Sequence, residues 1–385
     1  MLFWVLIDLI RINNIQFLAN MANVLSLLFI PMFAESLGAT YLEIGFIVGI
    51  FSASTLLSSF IFGRVADLHH LRSVLLFGFG IAVATFFLQI FARDPASLML
   101  ARAFAGFSVG IYPGALIAYV HYRKQSLGRF ISLGSLGWMV GFFAAGLIGE
   151  NMNRLFLLSS FFYLICFLLA FRLRDIEKPQ VNLSYFSLDT LLKNAGPYFA
   201  LFLRHTGAVG VWTIFPLYLR ELGATDFWIG LIYAVNPAVQ FLVMRRLDGL
   251  GNERLIHIGY PLSAVGFVSF ILAPSYLYII PGMFIIACSW SFLYVGSTRL
   301  VVERNPDKAT SAGLINSMIG AAGVVGALLG GGFFPRFSVS GQQCLLLSSF
   351  ALQVSCSSKC LKSKVLEVFS LKGLFPGSIF TKYIY

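Results

Sequence analysis

The apolar residues of this chain occur in long unbroken runs rather than in the spaced stripes of a surface helix. Two of these runs extend from Val74 to Ala92 and from Leu155 to Phe171, and neither contains a charged residue. A helix needs about 17 to 25 mostly apolar residues to cross the hydrocarbon core of a bilayer. Strands of a membrane barrel would instead alternate apolar and polar residues. The pattern therefore predicts an all-α polytopic membrane protein.

Hydropathy along the chain predicts about twelve transmembrane helices. The predicted spans are residues 14–33, 42–62, 73–92, 97–120, 130–149, 155–172, 196–218, 227–244, 255–273, 276–300, 310–334 and 342–356. The last span contains about fifteen apolar residues, which is short for a crossing.

Composition supports this pattern, because the chain is 58% hydrophobic and only 11% charged, whereas soluble domains are about 25% charged. Of the 27 Lys and Arg residues, 21 lie in the termini and the even-numbered connections, and four lie in the other connections. Since cytoplasmic loops carry the excess of Lys and Arg, we expect a prokaryotic cytoplasmic membrane protein with both termini in the cytoplasm. The charges form no single patch, so nucleic acid is not an expected partner.

One stretch is written twice: PMFAESLGAT begins at Pro31 and PLYLRELGAT begins at Pro216, 185 residues later. Six predicted spans precede the charged segment 172–194 and six follow it. Both halves then enter the membrane in the same direction and can be related by an axis along the membrane normal. The predicted organisation is an N-terminal six-helix bundle, a cytoplasmic linker, a C-terminal six-helix bundle and a basic cytoplasmic tail, at residues 1–172, 173–194, 195–358 and 359–385.

With this repeat, the chain resembles the major facilitator superfamily, and its drug-efflux and antiporter branch in particular. The resemblance implies two six-helix bundles that face each other across a central cavity. One local pattern that carries it is GRVADLHHLR, which keeps the family's Gly63 and Asp67 and a cation at Arg72 but departs from it at 69–71. The resemblance implies that these residues belong to an inner gate. The second half contains a remnant of the same motif, in which Asp248 and Gly251 are kept. The alternative interpretation is that the motif is only a solvated inner loop.

A second pattern is ARAFAG, with Arg102 and Gly106 inside the fourth predicted span. A guanidinium at membrane depth costs several kcal/mol unless it faces water or a partner, so it indicates a functional residue. The family links its Arg-x-x-x-Gly pattern to the path of substrate or protons. The alternative is an arginine whose side chain extends to the outer interface.

A third pattern is the glycine spacing of the fifth span, at Gly128, Gly137, Gly141 and Gly146. It resembles the family's exporter signature but has Phe142 in place of a proline and Ala145 in place of a glycine. The alternative is a close helix contact without any exporter function, because small residues let helices approach. The matching small-residue surface of the second half includes Gly320 and Gly323.

The expected cavity residues are the deep ionisable groups and the polar residues of the spans. They are Arg102, Gly106, Arg204, His205, Asn20, Asn236, Gln240 and Asn316. Adjacent residues on a helix point about 100° apart, so we expect one residue of the 204–205 pair, preferably the arginine, to face the cavity. All 16 Asp and Glu residues lie in loops or near span ends. The cavity is therefore expected to be positive and to prefer neutral or anionic substrates.

The expected function is secondary active transport of a small molecule by alternating access, as efflux of small amphipathic or drug-like compounds. The alternatives are import of an organic anion or another nutrient, and a transport-inactive protein of the same fold that serves as a receptor or assembly partner. The protein is not expected to be an enzyme, because no nucleophile–base cluster is evident. No metal site and no cofactor are expected either. Transport can be coupled to the movement of protons. The expected partners are the lipid bilayer and the substrate, for a monomeric protein.

Overall fold

The structure is a computed structural model that describes residues 2–149, 151–176 and 188–333, and all regular secondary structure in these ranges is helical. The helices of the first half are α1 (Leu2–Leu27), α2 (Ile30–Ser36), α3 (Tyr41–Leu68), α4 (Leu71–Leu88), α5 (Pro95–Ile111), α6 (Pro113–Tyr122), α7 (Leu127–Ile148) and α8 (Met152–Phe171). The helices that follow are α9 (Leu188–Lys193), α10 (Ala195–Glu221), α11 (Asp226–Met244), α12 (Asn252–Ile271), α13 (Ile279–Arg304) and α14 (Lys308–Phe333). Short 3₁₀ turns extend α4 at its end and α13 at its start, at Gln89–Phe91 and Tyr276–Tyr278.

The all-α membrane fold that the sequence predicts is confirmed. Within the described residues, nine helices or hinged helix pairs are long and apolar enough to cross a membrane. Helices α10 and α12 are not among these nine, but with 27 and 20 residues they match two further predicted spans and pack within the same bundle. Eleven of the twelve predicted spans thus correspond to described helices. The twelfth, 342–356, and the basic tail lie outside the described residues.

The repeated LGAT stretch builds the same turn twice. Gly38 and Gly223 each adopt a φ of 86°, a left-handed conformation that favours glycine after a helix end. The following Thr40 and Thr225 are the N-caps of α3 and α11, with extended backbones in both copies. The repeat therefore marks the point where one helix stops and the next begins at corresponding places in the two halves.

The two halves meet along two pairs of helices, α3 with α14 and α7 with α11. A Cβ placed on Gly63 would lie 3.2 Å from the Cα of Gly313, and one placed on Gly146 would lie 2.8 Å from the Cα of Gly230. Glycine allows this close backbone approach between helices. We name the two ends of the bundle the Asp67 end, where α3 finishes, and the Glu35 end, where α2 finishes.

Candidate functional site

Asp67 joins the two halves at one end of the bundle. It lies in the last turn of α3, and its carboxylate accepts hydrogen bonds from the backbone N–H groups of Ala309 (3.1 Å) and Thr310 (2.6 Å) and from the Thr310 hydroxyl (2.6 Å). These N–H groups belong to the first turn of α14, which has no intrahelical acceptor for them. A carboxylate is favoured there by both hydrogen bonding and the helix dipole.

Arg64 and Asp307 add a second contact at the same end. The Arg64 guanidinium lies 3.7 Å from the Asp307 carboxylate, and both side chains are buried. The Asp307 carboxylate also accepts a hydrogen bond from the hydroxyl of Thr190, in the linker helix α9, at 2.6 Å. The linker therefore contacts the same junction between α3 and α14.

Two predicted gate residues lie apart from this junction. Arg72 donates to the carbonyl of Phe171 and its guanidinium lies 5.3 Å from the Phe171 ring, so it contacts α8 of its own half. Gly251 caps α12, and a Cβ added there would meet no atom within 4 Å. The structure therefore gives no packing reason for glycine at 251.

Asp248 makes the corresponding contact on the other pair of helices. The Ser126 hydroxyl, at the N-cap of α7, donates to its carboxylate at 2.6 Å, and Arg129 lies 3.6 Å from the same oxygen. Asp67 thus meets the start of α14, and Asp248 meets the start of α7. The two acidic residues occupy corresponding places in the repeat.

A cavity of about 410 Å³ lies between the two halves. Of the eight predicted cavity residues, the structure places seven in its wall, namely Arg102, Arg204, His205, Asn20, Asn236, Gln240 and Asn316. The eighth, Gly106, does not line it. A Cβ at Gly106 would lie 2.2 Å from the carbonyl oxygen of Phe51, so this glycine lets α5 pack against α3.

Arg102 is fully buried in the protein rather than extended to an interface. Its guanidinium lies 4.0 Å from the centroid of the Phe51 ring, and its Nη1 donates to Gln89 Oε1 at 3.4 Å. Its Nε and Nη2 atoms have no hydrogen-bond partner among the described residues. The guanidinium therefore keeps unused donors beside the cavity, where the sequence predicted a functional cation.

Arg204 and His205 both line the cavity, although the sequence led us to expect only one of them there. They share one neighbour, Trp290 of α13. The Arg204 guanidinium lies 5.0 Å from the Trp290 ring, and the His205 ring stacks on it with a centroid distance of 4.9 Å. Arg204, His205 and Trp290 thus form one continuous part of the cavity wall.

The cavity amides are organised by hydrogen bonds. The Trp138 indole donates to Asn20 Oδ1 at 2.8 Å, and Gln240 bonds to Asn236 and accepts from the Ser135 hydroxyl at 3.2 Å. The last bond links α7 of the first half to α11 of the second. Sequence reasoning missed Ser135 and Trp138, although an indole N–H in an apolar span needs a partner and is a usable signal. In Asn316, the amide donates to the Ala312 carbonyl of its own helix at 3.0 Å.

The glycines of α7 serve two helix contacts. Cβ atoms at Gly137 and Gly141 would lie 2.2 Å from the Phe17 carbonyl oxygen and 2.5 Å from Val24, so these glycines pack against α1. Gly128 and Gly146 pack against α11 of the other half. In α14, Gly320 and Gly323 approach α3, with Cβ positions 2.8 Å from the Leu56 nitrogen and 2.4 Å from Ser52 Oγ, and both glycines also line the cavity.

The described wall of the cavity contains basic side chains without acidic ones. Among the described residues, its wall contains two arginines and one histidine but no Asp or Glu. The described part of the chain also contains no cluster of three or more His, Cys, Asp or Glu residues suited to a metal ion. The wall is otherwise apolar and aromatic with a few amides, an arrangement typical of small-molecule sites.

Solved structures with the same fold are membrane transporters. The human organic anion transporter MFSD10 aligns with 92% of this chain and 99% of its own at a TM-score of 0.74, and the nucleoside transporter NupG aligns with 92% and 98% at 0.70. Both are 16% identical to this chain, so the likeness concerns the fold alone.

Related sequences point the same way. An uncharacterized MFS-type transporter of Methanocaldococcus jannaschii is 25% identical over 329 residues, which are 77% of this chain and 83% of the relative. The quinolone resistance protein NorA of Staphylococcus aureus is 27% identical over 140 residues, about a third of either protein (35% and 36%). The family model of the Major Facilitator Superfamily matches residues 14–335, and this chain, an integral membrane protein, therefore belongs to that superfamily of transporters.

Proposed function

We propose that this protein is a secondary transporter that exports small amphipathic molecules of neutral or negative charge. The observation that carries the charge class is the cavity wall, in which Arg102 and Arg204 face no carboxylate among the described residues. A permanent cation would be repelled by both guanidinium groups in a site of low dielectric constant. An anion or a neutral hydrogen-bond acceptor would satisfy donors that are now unused.

The amphipathic character of the proposed substrate is inferred from the aromatic and amide side chains of the cavity wall. Trp212, Tyr233 and Phe142 form a group of rings with centroid distances of 5.2 to 5.9 Å, next to the amides of Asn236 and Gln240. Aromatic rings bind apolar surface and the amides fix orientation. A volume of about 410 Å³ suits a small molecule rather than a polymer.

Alternating access is supported by the contacts of Asp67. These bonds join α3 to α14 across the two halves, so they must break when the Asp67 end opens. Alternating access needs such a contact between the two halves at the end that closes. This observation favours a working transporter over a transport-inactive one.

Export is supported by two sequence observations. The glycines of α7 resemble the exporter signature, and the relative NorA is named for quinolone resistance. Import of an organic anion is the second candidate, and the arginine pair favours it, since a positive cavity serves an anion in either direction.

The first test is flux through the purified full chain in proteoliposomes, with neutral, anionic and cationic solutes of matched size. Each solute is tested with and without a pH gradient. Neutral or anionic solutes are expected to move and permanent cations are not. Arg102→Ala is expected to lower flux about tenfold or more, since a hydrogen bond to a charged group contributes about 1.5–3 kcal/mol. Arg93→Ala is the matched control, because Arg93 is exposed and its side chain bonds, among the described residues, only to the nearby carbonyls of Ile90 and Ala92.

Direction is tested in membrane vesicles of both orientations. An exporter accumulates solute in inverted vesicles, whereas accumulation only in right-side-out vesicles would establish import. Rapid transport of a permanently cationic dye would contradict the proposed charge class. Absence of flux for every solute, from folded protein, would contradict transport itself.

A further inference from the structure

We propose that Arg204, Trp290 and Tyr294 form a subsite for a planar aromatic carboxylate, with the ring on the two aromatic side chains and the carboxylate on the arginine. This inference rests on the proposed transport function and narrows its substrate class. All three residues line the cavity.

The ring part of the subsite is a stack of aromatic side chains. Trp290 and Tyr294 lie one helical turn apart on α13, with ring centroids 5.2 Å apart and planes within 7° of each other. His205 of α10 extends the stack on Trp290 at 29°. Flat rings with centroids about 4.5–7 Å apart gain from offset stacking beyond simple burial. A planar ligand ring therefore fits this wall better than a puckered one.

The charged part of the subsite is the Arg204 guanidinium beside that stack. Only 2% of Arg204 is exposed, so its charge is removed from water. Its Nε donates to Ser263 at 3.0 Å, whereas its buried Nη2 has no partner among the described residues. A buried unpaired cation is costly, and a carboxylate is the group that matches the planar donors of arginine.

The two parts are close enough for one small ligand. The guanidinium carbon of Arg204 lies 5.0 Å from the Trp290 centroid, so a carboxylate bonded to Arg204 places an attached ring against the stack. Arg102 also lies over a ring, that of Phe51 at 4.0 Å, but no second ring stacks on Phe51 among the described residues, whereas Tyr294 stacks on the Trp290 ring beside Arg204. The unpartnered His205 Nδ1, next to Arg204, adds a further polar atom for the head group.

The test measures equilibrium binding of three probes to the full chain in lipid nanodiscs. The probes are 2-naphthoate, the neutral 2-naphthamide and the saturated decahydronaphthalene-2-carboxylate. We expect 2-naphthoate to bind about tenfold or more tightly than either analogue, because each analogue loses the charge-assisted bond or the stacking. Benzoate and anthracene-2-carboxylate extend the series to smaller and larger rings. Equal affinity of acid, amide and saturated acid at every ring size would overturn the proposal.

Variants assign the two parts. Arg204→Gln is expected to reduce naphthoate affinity to that of the amide, and Arg204→Lys to recover only part of it, since lysine keeps the charge but not the planar fork. Trp290→Leu is expected to remove the advantage of the flat ring over the saturated ring. Arg93→Gln serves as the control at an exposed site. A naphthoate preference that survives Arg204→Gln in folded protein would overturn the assignment to Arg204.

Flux measurements with the same probes separate this inference from the proposed function. Transport of neutral amphipathic solutes without any preference for aromatic acids would overturn the subsite and leave the transporter proposal standing. Tight naphthoate binding without flux of any solute would support the subsite and contradict transport.

Discussion

Replacing Asp67 with alanine is expected to open the Asp67 end of the protein. The substitution removes three hydrogen bonds to the first turn of α14, two from backbone N–H groups and one from the Thr310 hydroxyl. Bonds to a charged group contribute about 1.5–3 kcal/mol each, so the ratio of closed to open molecules is expected to fall about tenfold or more. Flux is expected to fall with it, because a transporter needs both states.

The measurement is the labelling rate of Ser311→Cys with a soluble maleimide, in a background without the five native cysteines. Ser311 follows Thr310 on α14 and is fully buried, and its hydroxyl has no partner among the described residues, so cysteine is a mild replacement. Asp67→Ala is expected to accelerate labelling and Asp67→Asn to do so less. The control is Glu253→Ala, which removes an exposed ion pair with Arg304 at 2.8 Å. Labelling as slow in Asp67→Ala as in the parent protein would show that these bonds do not hold the end closed.

Substituting Gly106 with alanine is expected to cause a large loss of stability. A Cβ at 106 would lie 2.2 Å from the Phe51 carbonyl oxygen and 2.8 Å from the Phe51 Cα, which are backbone atoms that cannot move aside alone. Helix α5 must then shift away from α3, at a cost of about 1–3 kcal/mol or more, as in other overpacked cores. The effect is measured as the unfolding temperature in detergent, at which the monodisperse peak in size-exclusion chromatography is lost after heating.

Gly251→Ala is the matched control for this prediction. Gly251 has a φ of −64°, and an added Cβ would meet no atom of the described residues within 4 Å. Its substitution is expected to leave the unfolding temperature nearly unchanged. Unfolding temperatures equally unaffected in both variants would refute the packing role of Gly106.

The sequence predicted the helices well, because an uncharged run of membrane length has few alternative structures. The structure places three of the predicted amides, Asn20, Asn236 and Gln240, in the cavity wall, and these side chains would be costly against lipid. The sequence did not reveal which residues each of these polar side chains contacts. Nothing in the pattern around Asp67 shows that its acceptors meet backbone N–H groups of a helix some 240 residues away.

Two errors have physical causes. Arg102 and Gly106 lie on the same face of α5, and both meet Phe51, but only the long arginine side chain reaches the cavity. A short motif does not distinguish a residue that lines a cavity from one that packs behind it. Arg204 and His205 both reach the cavity and both contact Trp290, a residue from a distant part of the chain that the local sequence does not reveal.

The paired turns at Gly38 and Gly223 explain why a proline and the LGAT sequence are the same in both stretches, although most of the two halves differ. Each turn is closed by its own bonds, from Ala39 N to the Ala34 carbonyl (3.0 Å) and from Ala224 N to the Leu219 carbonyl (2.9 Å). The residue types that each turn requires depend on contacts within the stretch itself. Substitution of one apolar residue for another in the surrounding helices therefore leaves these requirements unchanged. The internal repeat that the sequence predicts is thus clearest in the segments whose physics is local, and such turns are where internal homology in other divergent carriers should be sought first.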